Sequence, residues 1–173
     1  MKKIEKPAVW EFVPYAFEYV KLVPDDGLVL QHLQNNLLAL HDLVGHLPEE
    51  KLTTPCAEGE WTIKEILVHV SDTERIFAYR ALRFARNDTT PLAGFEQDDY
   101  VAASGANQRS LVDILAELST VRAATIALFN SLPEEAFERF GTSSGHKLSV
   151  RSALYVIAGH ELHHVKSIQE NYL

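Results

Sequence analysis

The sequence holds a single cysteine, Cys56, so no disulfide can close within the chain, and a thiolate metal cage is not expected either. No run of apolar residues approaches the length needed to cross a bilayer, so no membrane span is expected. The first residues, MKKIEKPAVWEFVPYAF, begin with charge but contain no apolar stretch that would serve as a secretion signal; a cytoplasmic location is the expectation. Cations are in the minority, 16 Lys and Arg against 24 Asp and Glu, for a formal charge of −8. Nucleic-acid affinity comes mostly from Lys and Arg on phosphates, so nucleic acid is not an expected partner. Internal repeats and low-complexity segments are also missing. With 46% apolar and 23% charged residues over 173 positions, the chain is of the right size and balance for one soluble globular domain.

What is present is helical periodicity. Residues 1–24 carry three prolines and the aromatics Trp10, Phe12, Tyr15, Phe17 and Tyr19, and read as an N-terminal arm of extended chain or short turns, packed on the body by its rings. Beyond it, residues 25–173 read as the domain. Asp25 and Asp26 can cap a helix through LVLQHLQNNLLALHDLVGHL, in which Leu30, Leu33, Leu37, Leu40 and Val44 keep helical spacing. Residues 48–60 read as a loop. Thr62 and Glu65 form a capping box ahead of a long helix to about Arg86, with Ile63, Ile66, Leu67, Val70, Phe77, Ala81 and Phe84 on its apolar stripe. Residues 87–107 read as a long connection, and connections of that length commonly carry function. A third helix is expected from about Ser110 to Asn130, a loop over 141–145, and a last helix capped by Ser149 that runs to about Glu170. Four long amphipathic helices with few strand signals predict an all-α four-helix bundle.

The last helix carries the segment GHELHH, in which His160, Glu161 and His164 spell H-E-x-x-H, the pattern of a zinc protease helix. Two histidines four apart share one helix face. A protease needs a third ligand downstream, however. Ser167 and Glu170 stand where an extended motif would need glycine and histidine, and the sequence given ends at Leu173. A third ligand must therefore come from upstream, and His69, midway along the second long helix, is the strongest candidate. Facing helices of a bundle can present imidazoles to one point, and three neutral histidines with open positions suit a divalent ion such as zinc, nickel or iron, with manganese a further option. His163 is a rival ligand or a partner for one. His32, His41, His46 and His146 read as surface or loop residues.

The segments WTIKEILVHVSDTERIFAYRALRFAR, PLAGFEQDDYV and SVRSALYVIAGHELHHVKSI, taken in order, resemble the DinB-like superfamily, which includes the bacillithiol S-transferases. The resemblance extends over about residues 25–172. Its specific part is Trp61, His69 eight residues on with Asp72 and Glu74 behind it, and the C-terminal H-x-x-H-H. It implies an up-down-down-up bundle with one divalent metal per chain, held by His69, His160 and His164. It also implies homodimers and, for several members, chemistry on low-molecular-weight thiols. A metal-dependent enzyme acting on a small molecule, of thiol S-transferase type or doing related nucleophilic chemistry, is the expectation. The competing expectations are a non-catalytic metal-binding or stress-response protein and a dimeric scaffold with vestigial histidines.

Other side chains near these motifs have two readings each. Glu161 points about 100° away from His160 around the helix axis. It reads as a base or, more simply, as a partner for Arg151 or Lys166 or a buried contact to another helix. Asp72 could orient a ligand imidazole or pair with Arg75. Arg75, Arg80, Arg83 and Arg86 could recognise a carboxylate-bearing ligand or pair with Glu74, Glu96, Asp98 and Asp99, the latter being favoured. Trp61 and Tyr155 read as packing residues.

Overall fold

The computed structural model describes residues 1–173. Seven helices follow in order: α1 (Phe17–Val20), α2 (Val29–Val44), α3 (Glu49–Thr53), α4 (Ile63–Ala85), α5 (Gln97–Ala103), α6 (Leu111–Ser131) and α7 (Val150–Asn171). A hairpin of β1 (Phe140–Ser143) and β2 (His146–Ser149) precedes α7. The four long helices α2, α4, α6 and α7 are the four expected.

Side-chain bonds fix their directions. The start of α4 meets the start of α6, where Lys64 Nζ donates to the Arg109 carbonyl and Thr62 Oγ1 to Asn107 Oδ1; lower down, Arg122 meets Glu74. These two helices are therefore parallel. Along α2 and α6 the order is reversed, since His41 meets Ser119 whereas the Leu33 carbonyl meets Arg122. Tyr172, after α7, bonds the Trp61 carbonyl just before α4, so α4 and α7 are antiparallel. The bundle is up-down-down-up.

The N-terminal signals act as the sequence predicts. Thr62 Oγ1 accepts from Glu65 N while Glu65 Oε2 accepts from Thr62 N, and Ser149 Oγ accepts from Ser152 N. Each such cap stabilises its helix by about 1 kcal/mol, since it gives a partner to a backbone N–H that the helix cannot satisfy. At α2 the sequence reading needs correction: Leu28 is the cap residue, and Asp26 acts from outside by accepting from Leu28 N and pairing with His32.

Three segments read as loops contain regular structure. Residues 48–60 include α3, begun by Pro48 at the cap, with Glu49 paired to the buried Lys64. The 87–107 connection includes α5. The 141–145 loop is the turn of the hairpin, with Ser144 and Gly145 both at positive φ (51° and 78°). A two-residue turn of that hand matches strand twist, and the Ser-Gly pair is its signal in the sequence. The hairpin edge in turn pins the connection, because Leu92 N donates to the Thr142 carbonyl and Ser144 N to the Leu92 carbonyl.

Residues 1–24 form short turns plus α1. They enter the core through Ile4, Phe12, Ala16, Val20 and Val23, with Tyr19 packed against it, so two of the five rings do the packing expected of them, whereas Trp10, Tyr15 and Phe17 remain exposed. α1 lies on α7 at Gly159, where a Cβ would stand 2.1 Å from the Tyr19 carbonyl oxygen. Gly159→Ala must therefore push α1 away. A loss of about 1–3 kcal/mol in denaturant unfolding is expected; an unchanged midpoint would mean that the two backbones do not meet there.

The core has two apolar halves. One groups Phe84, Phe129 and the first turns of α7 with the N-terminal residues; the other groups Ile63–Val70 of α4 with Leu40, Val44, Leu118 and Ile168. Between them lies a buried polar layer containing His69, Thr73, Glu74, Arg122, His160 and Glu161.

Candidate metal centre

The three predicted histidines meet in that layer. His69 Nε2 lies 3.0 Å from His160 Nε2, and His160 Nε2 lies 3.1 Å from His164 Nε2. The three ligand atoms all fall within 4.8 Å of one another. The donor set suits a divalent cation on chemical grounds. All three present the same ring nitrogen, no carboxylate or lysine stands among them, and tetrahedral zinc at its usual bond lengths would place such nitrogens about 3.3 Å apart. His69 and His160 are buried and His164 half-buried.

The electrostatics favour the neutral imidazoles that a metal needs. Burial pulls the His69 pKa down to about 4, with the negative charge of Asp98 opposing. Burial, and then the neighbouring His69 and His163, lower His164 to about 3. His160 is held well below its ordinary value, first by burial and then by the other three imidazoles.

Aromatic rings wall the cluster. Trp61 sits 4.7 Å from the His69 ring and 6.4 Å from that of His164, so the sequence reading of Trp61 as plain packing misses its contact with the site. Tyr19, on α1, meets His160 edge-on at 5.4 Å and His163 at 5.3 Å. His163 itself is exposed and lies outside the converging set. Tyr155 is a core residue whose hydroxyl donates to the Ile4 carbonyl.

Glu161 faces away from the histidines. Its carboxylate accepts from Arg122 Nη2 at 2.9 Å, and Arg122 also donates to both oxygens of Glu74 at 2.9–3.1 Å and to the Leu33 carbonyl. All three charged groups are buried. This is the contact to another helix among the sequence readings; Arg151 and Lys166 pair instead with Glu11 and Glu170. Burial raises the Glu161 pKa even though Arg122 opposes it, and its second oxygen has no hydrogen-bond partner. Glu161 is thus tied into the buried network with Arg122 and Glu74 and not to the three imidazoles.

The other acids and arginines separate. Asp72 pairs with Arg75 and bonds no imidazole. Arg75 takes the partner expected from the Asp72 reading and adds Glu117, whereas Arg83 pairs with Asp88 and Arg86 is exposed, so none of the four meets Glu74, Glu96, Asp98 or Asp99. Arg80 is buried and forms no ion pair; its Nη2 donates to the Ala93 carbonyl and to Ser144 Oγ.

Two pockets open beside the histidines. One, of about 330 Å³, reaches from His69 and His160 past Thr73 to Arg80. The other, of about 320 Å³, is bordered by Trp61, His163 and His164. Gln97 and Asp98, at the start of α5, border both. The 87–107 connection therefore roofs the site, as its length suggested. Thr73 is the pocket residue that sequence reading missed. Its signal was the i+4 spacing from His69, which continues through Phe77 to Arg80 along one face of α4.

A family model of the DinB superfamily matches residues 32–168. The chain belongs to the DinB superfamily. Among its DinB relatives is a candidate metal-dependent hydrolase of Bacillus licheniformis, 30% identical over 135 residues that make up 75% of each chain. A Bacillus subtilis relative described in the same words, YfiT, is 21% identical over 144 residues, 82% of this chain and 80% of its own. The solved structure of YfiT, described as a probable metal-dependent hydrolase with an unusual four-helix bundle topology, superposes with a TM-score of 0.73 at 19% identity, covering 96% of this chain and 91% of that one. A second DinB-like protein of Bacillus subtilis superposes at 0.60 with 18% identity, over 82% and 87%. Both likenesses concern the fold.

Proposed function

We propose that this DinB protein is a metal-dependent enzyme in which His69, His160 and His164 hold one divalent cation, and that its chemistry is thiol S-transfer to a small electrophile. The observation that carries the reading is the pairing of three converging neutral imidazoles with a Glu161 already committed to Arg122. Such a cation supplies Lewis acidity, lowering the pKa of a thiol or a water taken into its open position. The chain offers no carboxylate hydrogen-bonded to the cluster to act as a strong base, and a thiol ionises far more readily than water. In the proposed reaction the sulfur electron pair forms the new S–C bond, the leaving group departs with its own pair, and the thiol proton passes to solvent or to Asp98. Trp61 and Tyr19 fix the ring planes of the ligands, and the roof formed by Gln97 and Asp98 limits access of water.

Hydrolysis is the second reading. The names of the relatives and the position of Asp98 at the mouth support it, since that carboxylate is exposed and its charge acts on His69. One experiment separates the two. Zinc-loaded protein is given glutathione with a fluorogenic thiol acceptor, and separately an activated ester. Conjugation that needs metal and disappears in His160→Ala supports S-transfer. Ester cleavage with the same dependence supports hydrolysis instead. Metal-independent rates in both assays would sink the enzyme reading.

A further inference from the structure

Arg80 is the unexplained cation of the site. Its side chain is 5% exposed, yet no carboxylate pairs with it. Its two hydrogen bonds both come from Nη2, to the Ala93 carbonyl at 3.3 Å and to Ser144 Oγ at 3.1 Å, which leaves Nε and Nη1 without a partner in the chain. Removing a guanidinium from water without a counter-charge is costly, and proteins accept that cost where the missing anion is brought by a ligand. The group is also held in position. Its Cζ lies 5.0 Å from the Phe77 ring and 5.9 Å from that of Phe95, one from α4 and one from the roof. The left-handed turn at Ser144 and the pinned connection at Ala93 supply its two acceptors. Sheltered between rings, with Nη2 spent on the chain, the guanidinium keeps the N–H groups of Nε and Nη1 for an anion, each as a single charge-assisted hydrogen bond.

Thr73 borders the same cavity, but its Oγ1 is itself sealed from solvent and does not open on the pocket. His69, Thr73 and Arg80 follow each other on one face of α4. Eleven residues separate the histidine from the arginine, about 16 Å along the helix axis. Helical side chains lean toward the N-terminus, and the long Arg80 side chain reaches back over the Phe77 ring on the histidine side.

We infer that Arg80 is the anion subsite of this pocket, and that the ligand is an elongated small molecule with a carboxylate at one end, bound by Arg80, and its reacting group at the histidines. The inference rests on the proposed metal site for the position of the reacting end, and on Arg80 alone for the carboxylate. Arg80 is the single arginine or lysine lining the pocket, which Glu96 and Asp98 also border. It makes the site selective for acids over neutral analogues of equal length, even though the protein as a whole is acidic.

A molecular ruler tests this. Zinc-loaded protein is titrated calorimetrically with ω-mercapto acids of increasing chain length, each compared with the ω-mercapto alcohol of the same length. At one best length the acid is expected to bind at least about tenfold more tightly than the alcohol, with the advantage shrinking for shorter and longer chains. Arg80→Gln should erase the advantage, and Arg80→Lys, which keeps the charge but loses the planar group held between the Phe77 and Phe95 rings, should retain only part of it. Acids and alcohols binding equally at every length would overturn the inference, as would an acid advantage that survives in Arg80→Gln. Should Arg80→Gln fail to fold, the parent series and Arg80→Lys still decide. A parent that takes up no zinc would sink the metal reading alone. In that event plain carboxylic acids are titrated against alcohols into metal-free protein, where a preference for acids upholds the Arg80 subsite and its absence overturns it.

Discussion

Replacing His69 with alanine is expected to strip the protein of its cation. The parent should carry about one divalent ion per chain after incubation with zinc, measured by elemental mass spectrometry. Zinc sites with four protein ligands bind with roughly 10–16 kcal/mol, so one ligand's share is about 3 kcal/mol. Affinity in the variant should fall on the order of a hundredfold or more. Melting gives a second readout. At a free zinc concentration of about a hundred times the parent Kd, the parent should gain about 2.7 kcal/mol, or roughly 5–10 °C, and the variant no more than about 0.4 kcal/mol. Equal zinc content in parent and variant would remove His69 from the site and with it the convergence of α4 and α7 on a metal.

The same cluster sets a pH dependence. In the folded protein the pKa values of His69 and His164 lie near 4 and 3, and that of His160 is also depressed, whereas the unfolded chain titrates near 6.5. Between those limits the unfolded chain binds more protons than the folded one, so stability rises with pH across that window. Metal-free protein should therefore begin to lose stability as pH falls below about 6.5, well before its carboxylates protonate. Zinc should raise the profile by a constant amount above about pH 4 and leave the onset where it is, because the folded imidazoles are already neutral there. A flat stability profile from pH 7 to 5 in the metal-free protein would show that the imidazoles are not held neutral.

Arg122→Met should be the most damaging single substitution in the polar layer. It leaves Glu74 and Glu161 buried with no cation between them and removes a donor from the Leu33 carbonyl. Breaking one partner out of a buried ion network costs about 3–5 kcal/mol. For a chain of this size that is roughly 6–20 °C in melting temperature, a large share of a typical folding stability of about 5–15 kcal/mol. Exchanging all three charges together, Arg122→Met with Glu74→Leu and Glu161→Leu, should recover most of the loss, because no charge is then left unpaired. Glu161→Gln alone should cost less than Arg122→Met and should leave zinc binding unchanged. Loss of zinc in Glu161→Gln would return the glutamate of H-E-x-x-H to the metal chemistry from which its geometry separates it.

Much of this molecule could be read from its residues. The 3.6-residue period of Leu30 to Val44 and of Ile63 to Phe84 required helices with one buried face. Thr62, Glu65 and Ser149 marked two of the helix starts, because a backbone N–H without a partner must find a local oxygen wherever it occurs. The i, i+4 spacing of His160 and His164 put both on one face, and Ser167 and Glu170, standing where an extended motif needs glycine and histidine, pointed to another helix for the third. These are short-range constraints, and they need no knowledge of the fold.

What only the tertiary structure decided were pairings between distant segments. No local rule joins Arg122 to Glu74 and Glu161, so the glutamate of H-E-x-x-H could be assigned to the core only once α6 lay beside α7. The arginines of α4 look equivalent in sequence; Arg80 became distinct when the hairpin turn at Ser144 and the connection at Ala93 and Phe95 closed over it. The hairpin itself rests on four-residue strands too short to show a period, and on a turn whose Ser-Gly signal gains meaning only when Leu92 docks on its edge. Local periodicity and capping are set by neighbours within one or two turns, and the sequence by itself determined those. Which buried charge meets which, and which cation is left facing a pocket, depends on how four helices and two connections share one interior, and the fold alone decided that.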